Sequence, residues 1–144
     1  MIKRAKAEDA GVLAALAIQL WTEHESDKLT EEFSALLKNE EAACFLKYDG
    51  KRPVAFAQCQ LRHDYVEGTE HSPVGYLEGL FVAKEHRRKG YAAQLLAECE
   101  RWAKEKGCSE FASDCQLDNV DSLRFHIALG FQEAARIICF KKDL

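Results

Sequence analysis

The chain has 144 residues, is 47% hydrophobic and 31% charged, and carries a formal net charge of −4 at pH 7. This length and composition are typical of one globular domain with its own core, so we expect a single domain over residues 1–144. The acidic balance argues against a nucleic-acid binder, and no apolar run approaches the roughly 20 residues that a membrane span requires. Residues 1–6 are not followed by the apolar segment of a signal peptide, and we expect none.

The first half of the chain predicts two helices followed by a β-hairpin. Apolar residues recur there at helical spacing, and Asp49-Gly50 is a strong hairpin turn signal. Along the second hairpin strand, Gln58, Gln60 and Arg62 fall on one face, opposite small apolar residues. The predicted elements are a strand over 2–6, helices over Ala7–Trp21 and Leu29–Lys38, and strands over Ala43–Tyr48 and Pro53–Arg62.

The second half predicts strands that alternate with helices. Its clearest element is the helix 90–106, whose apolar stripe is followed by Gly107, a typical C-terminal stop. The other elements are strands over 74–82, Phe111–Cys115 and Ala135–Lys141 and a helix over Asn119–Leu129, for which Asp118 is the expected cap. The complete order, β-α-α-β-β-β-α-β-α-β, predicts an α/β (α+β) fold with a mixed, mostly antiparallel sheet.

The six cysteines are widely spaced and include no C-x-x-C pair. Most lie among strand or helix residues, where a free cysteine packs like a small hydrophobic side chain. We therefore expect reduced thiols in the cytoplasm, with no disulfide framework and no metal site. The residues are Cys44, Cys59, Cys99, Cys108, Cys115 and Cys139.

The most informative segment is the turn Arg87-Arg88-Lys89-Gly90-Tyr91-Ala92, between a predicted strand and a predicted helix. Such a turn directs several backbone N–H groups at one point, with the positive end of a helix dipole behind them. It therefore predicts a phosphate or pyrophosphate site. Neither the Walker loop nor the G-x-G-x-x-G dinucleotide motif is present in the chain.

The turn carries the motif R-x-x-G-x-A, and Asn119 and Leu129-Gly130-Phe131 follow downstream. In this pattern the chain resembles the GNAT superfamily of acetyl-CoA-dependent N-acetyltransferases. The resemblance implies a GNAT-type fold, with six to seven strands flanked by about four helices. It also implies acetyl-CoA as the cofactor, with coenzyme A as the product.

The resemblance implies roles for three parts of the chain in holding acetyl-CoA. The basic turn is similar to the pyrophosphate loop, a strand segment to the one that binds the pantetheine arm, and an asparagine to the residue that contacts this arm from the other side. The residues so implied are Leu80, Phe81, Val82, Arg87, Arg88, Lys89, Gly90, Tyr91, Ala92 and Asn119.

Three further features resemble the aminoglycoside 6'-N-acetyltransferases: Glu78 inside an apolar strand, Asp114 five residues before Asn119, and the loop and strand over 65–79. The resemblance implies that Glu78 and Asp114 bind an aminoglycoside antibiotic, and that the enzyme is a homodimer. The loop 64–75 and the final strand offer edge surface for pairing. Carboxylates suit an acceptor with several ammonium groups, and the same residues would also serve a polyamine or another small amine. Further candidates for acceptor binding are Trp21, Glu23 and Tyr65.

The chemistry of the amine indicates which catalytic groups are needed. An alkylammonium titrates at about 10 and attacks a thioester only as the free base, so a general base is required. Glu78 is the first candidate, while Asp114 is the second candidate, an acceptor anchor or a helix cap. Gly79 suggests a β-bulge that aims a backbone N–H at the acetyl carbonyl. His126 stands where many GNAT enzymes have a tyrosine acid, and is either an acid or a hydrogen-bonded helix residue.

Overall fold

The computed structural model describes residues 1–144 and contains one five-stranded sheet with helices on both faces. The strands lie in the order β1-β2-β3-β4-β5, antiparallel except for the parallel pair β4–β5. The strands are β1 (Ile2–Arg4), β2 (Ala42–Asp49), β3 (Arg52–Arg62), β4 (Val74–Val82) and β5 (Phe111–Ala112). The helices are α1 (Ala10–Ala17), α2 (Ser26–Leu36), α3 (Tyr91–Glu105) and α4 (Val120–Ala128), with 3-10 turns at Ala7–Asp9 and Lys84–His86.

Alternation along the strands builds a separate core on each face of the sheet. Phe56 of β3 points to the face that α1 and α2 cover, where Leu13 and Phe33 are buried with it. Its neighbours Ala55 and Ala57 point to the opposite face, where they pack with α3. Because side chains alternate between the two faces of a sheet, the position of a residue along β3 or β4 determines whether it lies on the same face as the segment between α1 and α2.

The fold class predicted from the sequence is correct, but the number of strands is five rather than six to seven. The predicted last strand over Ala135–Lys141 is wrong, since no strand forms after α4. Residues 132–144 make no backbone hydrogen bond. A β-strand is held by hydrogen bonds to a neighbouring strand, and this segment pairs with no strand of the sheet.

The predicted helix over Ala7–Trp21 is also shorter than expected. Its α-helical part ends at Ala17, and tighter bonds follow from the N–H groups of Gln19 and Leu20 to the third residue before each. These turns bring Trp21 against Gly79 of β4. No helix in the structure combines the length and apolar character needed to cross a bilayer.

The bulge predicted near Gly79 is present in β4. Gln58 of β3 pairs with Gly79 and Cys59 pairs with Leu77, so Glu78 has no opposite residue. Beyond Tyr76, β4 has no strand on its other side, because β5 pairs only with Gly75 and Tyr76. The second half of β4 therefore has an open edge that begins at the bulge.

Candidate active site

The basic turn between β4 and α3 is shaped by two left-handed residues. Arg88 has φ 64° and Gly90 has φ 79°, and α3 begins immediately afterwards at Tyr91. The backbone N–H groups of residues 88–93 donate to no group of the protein. A run of free N–H groups at the positive end of a 15-residue helix is an arrangement that suits an anion.

The side chains of the turn suit the same ligand. Arg87, Arg88 and Lys89 are exposed, and the Arg87 Nε donates to the Val82 carbonyl at 2.9 Å, which ties the turn to the end of β4. A methyl group on Gly90 would meet nothing within 4 Å, so the space in front of the backbone is open. These features fit a nucleotide diphosphate such as that of CoA.

The open edge of β4 leads from the bulge to this turn. Leu80 and Val82 are half-buried and Phe81 is buried, which leaves the backbone of this edge as its polar surface. At the start of α4, Asn119 Oδ1 accepts from the Ser122 N–H at 3.1 Å. The helix cap is therefore Asn119 and not Asp118 as predicted. Its side-chain amide N–H groups remain available to a ligand.

Glu78 and Asp114 belong to one array of four side chains. The Arg62 Nε and Nη2 donate to the two carboxylate oxygens of Glu78 at 2.9 and 3.0 Å. The same guanidinium lies 3.5 Å from the ring centroid of Tyr76, whose hydroxyl donates to Asp114. Burial, together with the Asp114 carboxylate, raises the pKa of Tyr76 above its ordinary value, which keeps this hydroxyl a donor.

Trp21 lies beside the array, on the bulge. A Cβ on Gly79 would stand 2.7 Å from Trp21 Cζ2, so only glycine lets the indole approach so closely. The indole is one wall of a cavity of about 230 Å³ between α2 and β3. This cavity is lined by Trp21, His24, Leu29, Glu32, Phe33, Leu36 and Gln58.

Two predicted acceptor residues lie outside the array. Glu23 is exposed in the turns after α1, and Tyr65 is 75% exposed in the loop between β3 and β4. Neither makes a side-chain hydrogen bond or an ion pair with Glu78 or Asp114. The structure therefore places them on the surface.

Both ring nitrogens of His126 are engaged within the protein. Nδ1 lies 2.6 Å from the Ser122 carbonyl oxygen and must donate to it, so Nε2 of the neutral ring accepts from the Ser113 hydroxyl at 2.7 Å. Phe125 and Phe131 pack edge-on against the ring. His126 thus ties α4 to the segment that carries Asp114.

Sequence reasoning missed Arg62 and Tyr76 as parts of the site. A signal was available, since Tyr76 precedes Glu78 by two residues and Arg62 shares a strand face with Gln58 and Gln60. The period of two places each pair on the same face. The register of β3 against β4, which brings these two pairs together, is a feature of the tertiary structure.

The chain that forms this open β4 edge, the bulge where the edge begins and the free N–H groups after its end also matches a known protein family. Residues 12–131 match the Acetyltransferase (GNAT) family. The chain belongs to this family.

Similar proteins within this family indicate a more specific group to which the chain is related. The aminoglycoside N(6')-acetyltransferase type 1 of Serratia marcescens is 43% identical over 132 residues, which cover 90% of each chain. That of Acinetobacter baumannii is 43% identical over 131 residues, 90% of this chain and 89% of the other. The chain is thus grouped with the aminoglycoside 6'-N-acetyltransferases.

Solved structures agree with this grouping. AAC(6')-Iy in complex with the bisubstrate analogue CoA-S-monomethyl-acetylneamine is 36% identical, with a TM-score of 0.95 and coverage of 100% of this chain and 98% of that one. AAC(6')-Ig from Acinetobacter haemolyticus, without ligand, is 39% identical with a TM-score of 0.95, covering 100% and 99%.

Proposed function

We propose that the protein is an aminoglycoside 6'-N-acetyltransferase. It transfers acetyl from acetyl-CoA to the 6'-amine of an aminoglycoside by direct attack in a ternary complex. Acetylation converts an ammonium of the drug into a neutral amide, which makes this a resistance activity. The observation that carries the proposal is that β4 has an acidic array at its bulge and a basic anion site after its end.

The donor half of the site is the open edge of β4 together with the basic turn. Acetyl-CoA, when bound, supplies an acetyl thioester. The free N–H groups of residues 88–93 and the side chains of Arg88 and Lys89 hold its diphosphate. The edge over Leu80–Val82 and the Asn119 amide hold its arm from opposite sides. With acetyl-CoA bound, a backbone N–H of Leu80 or Phe81, next to the bulge, would donate to the acetyl carbonyl.

The acceptor half is the acidic array and the apolar wall beside it. Glu78 and Asp114 bind ammonium groups, and the Trp21 indole faces the sugar rings. Glu23 and Tyr65 are exposed. The Glu23 carboxylate suits long-range attraction of a cationic acceptor, and the Tyr65 ring offers it an apolar or cation–π surface.

Proton transfer is assigned to the same residues. Glu78 takes a proton from the acceptor ammonium, directly or through water, so that the free amine attacks the thioester carbonyl, and Asp114 anchors the acceptor. His126 is the candidate acid. In this role the ring carries a second proton on Nε2, which passes to the leaving CoA thiolate through the Ser113 hydroxyl, 2.7 Å away.

The test uses two acceptors that differ only at the reacting group: neomycin has a 6'-amine and paromomycin a 6'-hydroxyl. We expect acetyl-CoA-dependent release of free thiol with neomycin and a kcat/KM for paromomycin lower by several orders of magnitude. Equal rates with both, or activity with spermidine alone, would contradict the assignment.

We also propose that the protein is a cytoplasmic homodimer. Four of the six cysteines are buried as core residues, which suits a compartment that keeps thiols reduced. The C-terminal segment has strand-forming residues without a partner, and Ile137, Ile138 and Phe140 are 66%, 80% and 90% exposed. A second copy covers them. Light scattering should give a dimer that Ile138→Asp dissociates; a monomeric wild type would contradict the proposal.

A further inference from the structure

The carboxylate of Glu78, which we assign to the binding of an acceptor ammonium, is already paired with a positively charged side chain. The Arg62 guanidinium binds both of its oxygens, at 2.9 and 3.0 Å. The side chain of Glu78 is 18% exposed and that of Arg62 is 38% exposed. The fork uses the planar geometry in which arginine pairs best with a carboxylate.

The same arginine changes the charge of the site. Glu78 and Asp114 alone would present two negative charges, but with Arg62 in the same array the sum is one negative charge. An ammonium that approaches Glu78 while the fork is closed meets a positive charge a few ångströms away. Two like charges at this separation repel each other even near the protein surface, where water weakens the interaction.

Arg62 has a route away from Glu78. It is the last residue of β3, and the polar loop 63–73 follows it. Its guanidinium also stacks on the Tyr76 ring, a contact that does not depend on Glu78. The side chain can therefore release the carboxylate while its guanidinium stays stacked on the buried Tyr76 ring.

We propose that Arg62 is an internal counter-ion that occupies the ammonium position on Glu78 and is displaced when the acceptor binds. This inference rests on the proposed function and adds a specificity device to it. An acceptor with several ammonium groups binds Asp114 with one and displaces Arg62 with another, whereas a monoamine has no second charge for the exchange. Arg62 thus selects for multiply charged acceptors.

The test compares Arg62→Met, which keeps an apolar stem and removes the charge, with the wild type. We expect the acceptor KM for neomycin to fall about five- to tenfold, as for the removal of one repelling charge near water. The KM for acetyl-CoA should not change. Arg101→Met is the matched control, because Arg101 also pairs with a glutamate, at 2.7 Å on exposed α3, and its loss changes the net charge equally.

A second variant separates displacement from simple positioning. If Arg62 acts by competition for Glu78, then Arg62→Met has no effect on the acceptor KM in a Glu78→Gln background. A rise in KM for Arg62→Met, or no change, would overturn the proposal, because a positioning arginine supports acceptor binding. Retained calorimetric binding of acetyl-CoA verifies that each variant is folded. Failure of the wild type on neomycin would instead refute the proposed function.

Discussion

Gly79→Ala tests the contact between the bulge and Trp21. The added methyl carbon would lie 2.7 Å from Trp21 Cζ2 and 2.9 Å from Cη2, while carbon atoms in contact normally stand about 3.5–4.0 Å apart. The indole must therefore move by roughly an ångström or the strand must bend. Overpacking of this kind costs about 1–3 kcal/mol of unfolding free energy, equivalent to a fall of about 3–10 °C in Tm for a chain of this size. Displacing the indole from the sugar face should raise the acceptor KM about two- to fivefold.

The assay combines thermal unfolding with steady-state kinetics at saturating acetyl-CoA. Gly11→Ala is the matched control, since a Cβ at Gly11 would meet nothing within 4 Å and this helix position favours alanine. In a Trp21→Ala background the Gly79→Ala change should leave the free energy of unfolding almost unchanged. The coupling energy between the two positions should therefore be about 1 kcal/mol or more. Equal Tm values for Gly79→Ala and Gly11→Ala would refute the contact.

Three other predictions concern the array and the turn. Glu78→Gln and Asp114→Asn should each lower kcat/KM for the acceptor about 10- to 100-fold, as for hydrogen bonds to charged groups, without changing the calorimetric Kd for acetyl-CoA. Gly90→Val should do the reverse and weaken acetyl-CoA binding, because a β-branched residue is strained at φ 79°. Burial and Asp114 raise the pKa of Tyr76, so its contribution to stability is complete below about pH 10 and is lost as the pH rises further. Denaturant titrations should therefore show a steeper loss of stability above pH 10 in the wild type than in Tyr76→Phe.

The elements that the sequence predicted well are those whose signals are local. Strands β2 and β4 are rich in apolar residues, β3 alternates polar and apolar residues in its second half, Asp49-Gly50 marks the β2–β3 hairpin, and α3 has a complete apolar stripe. Each of these elements lies within a few residues of its predicted bounds. The anion turn is also local, since its glycine, its basic residues and its helix are consecutive.

The predictions that failed depended on distant partners. The segment Ala135–Lys141 has strand-forming residues, but a strand also needs hydrogen bonds to a partner strand, and the segment makes none. The helix at 7–21 is cut short at Ala17, where the chain turns so that Trp21 lies against Gly79, far along the sequence. The Arg62–Glu78 fork likewise depends on the register of β3 against β4, which no spacing within either strand reveals.

The position of the transferred acetyl group on the acceptor distinguishes the proposed reaction from every alternative to it. Tobramycin is treated with the purified enzyme and acetyl-CoA, the product is weighed by mass spectrometry, and the modified nitrogen is assigned by NMR. The account predicts one added acetyl group, on the 6'-nitrogen. Acetylation at another nitrogen, or unchanged tobramycin at saturating acetyl-CoA, would contradict it.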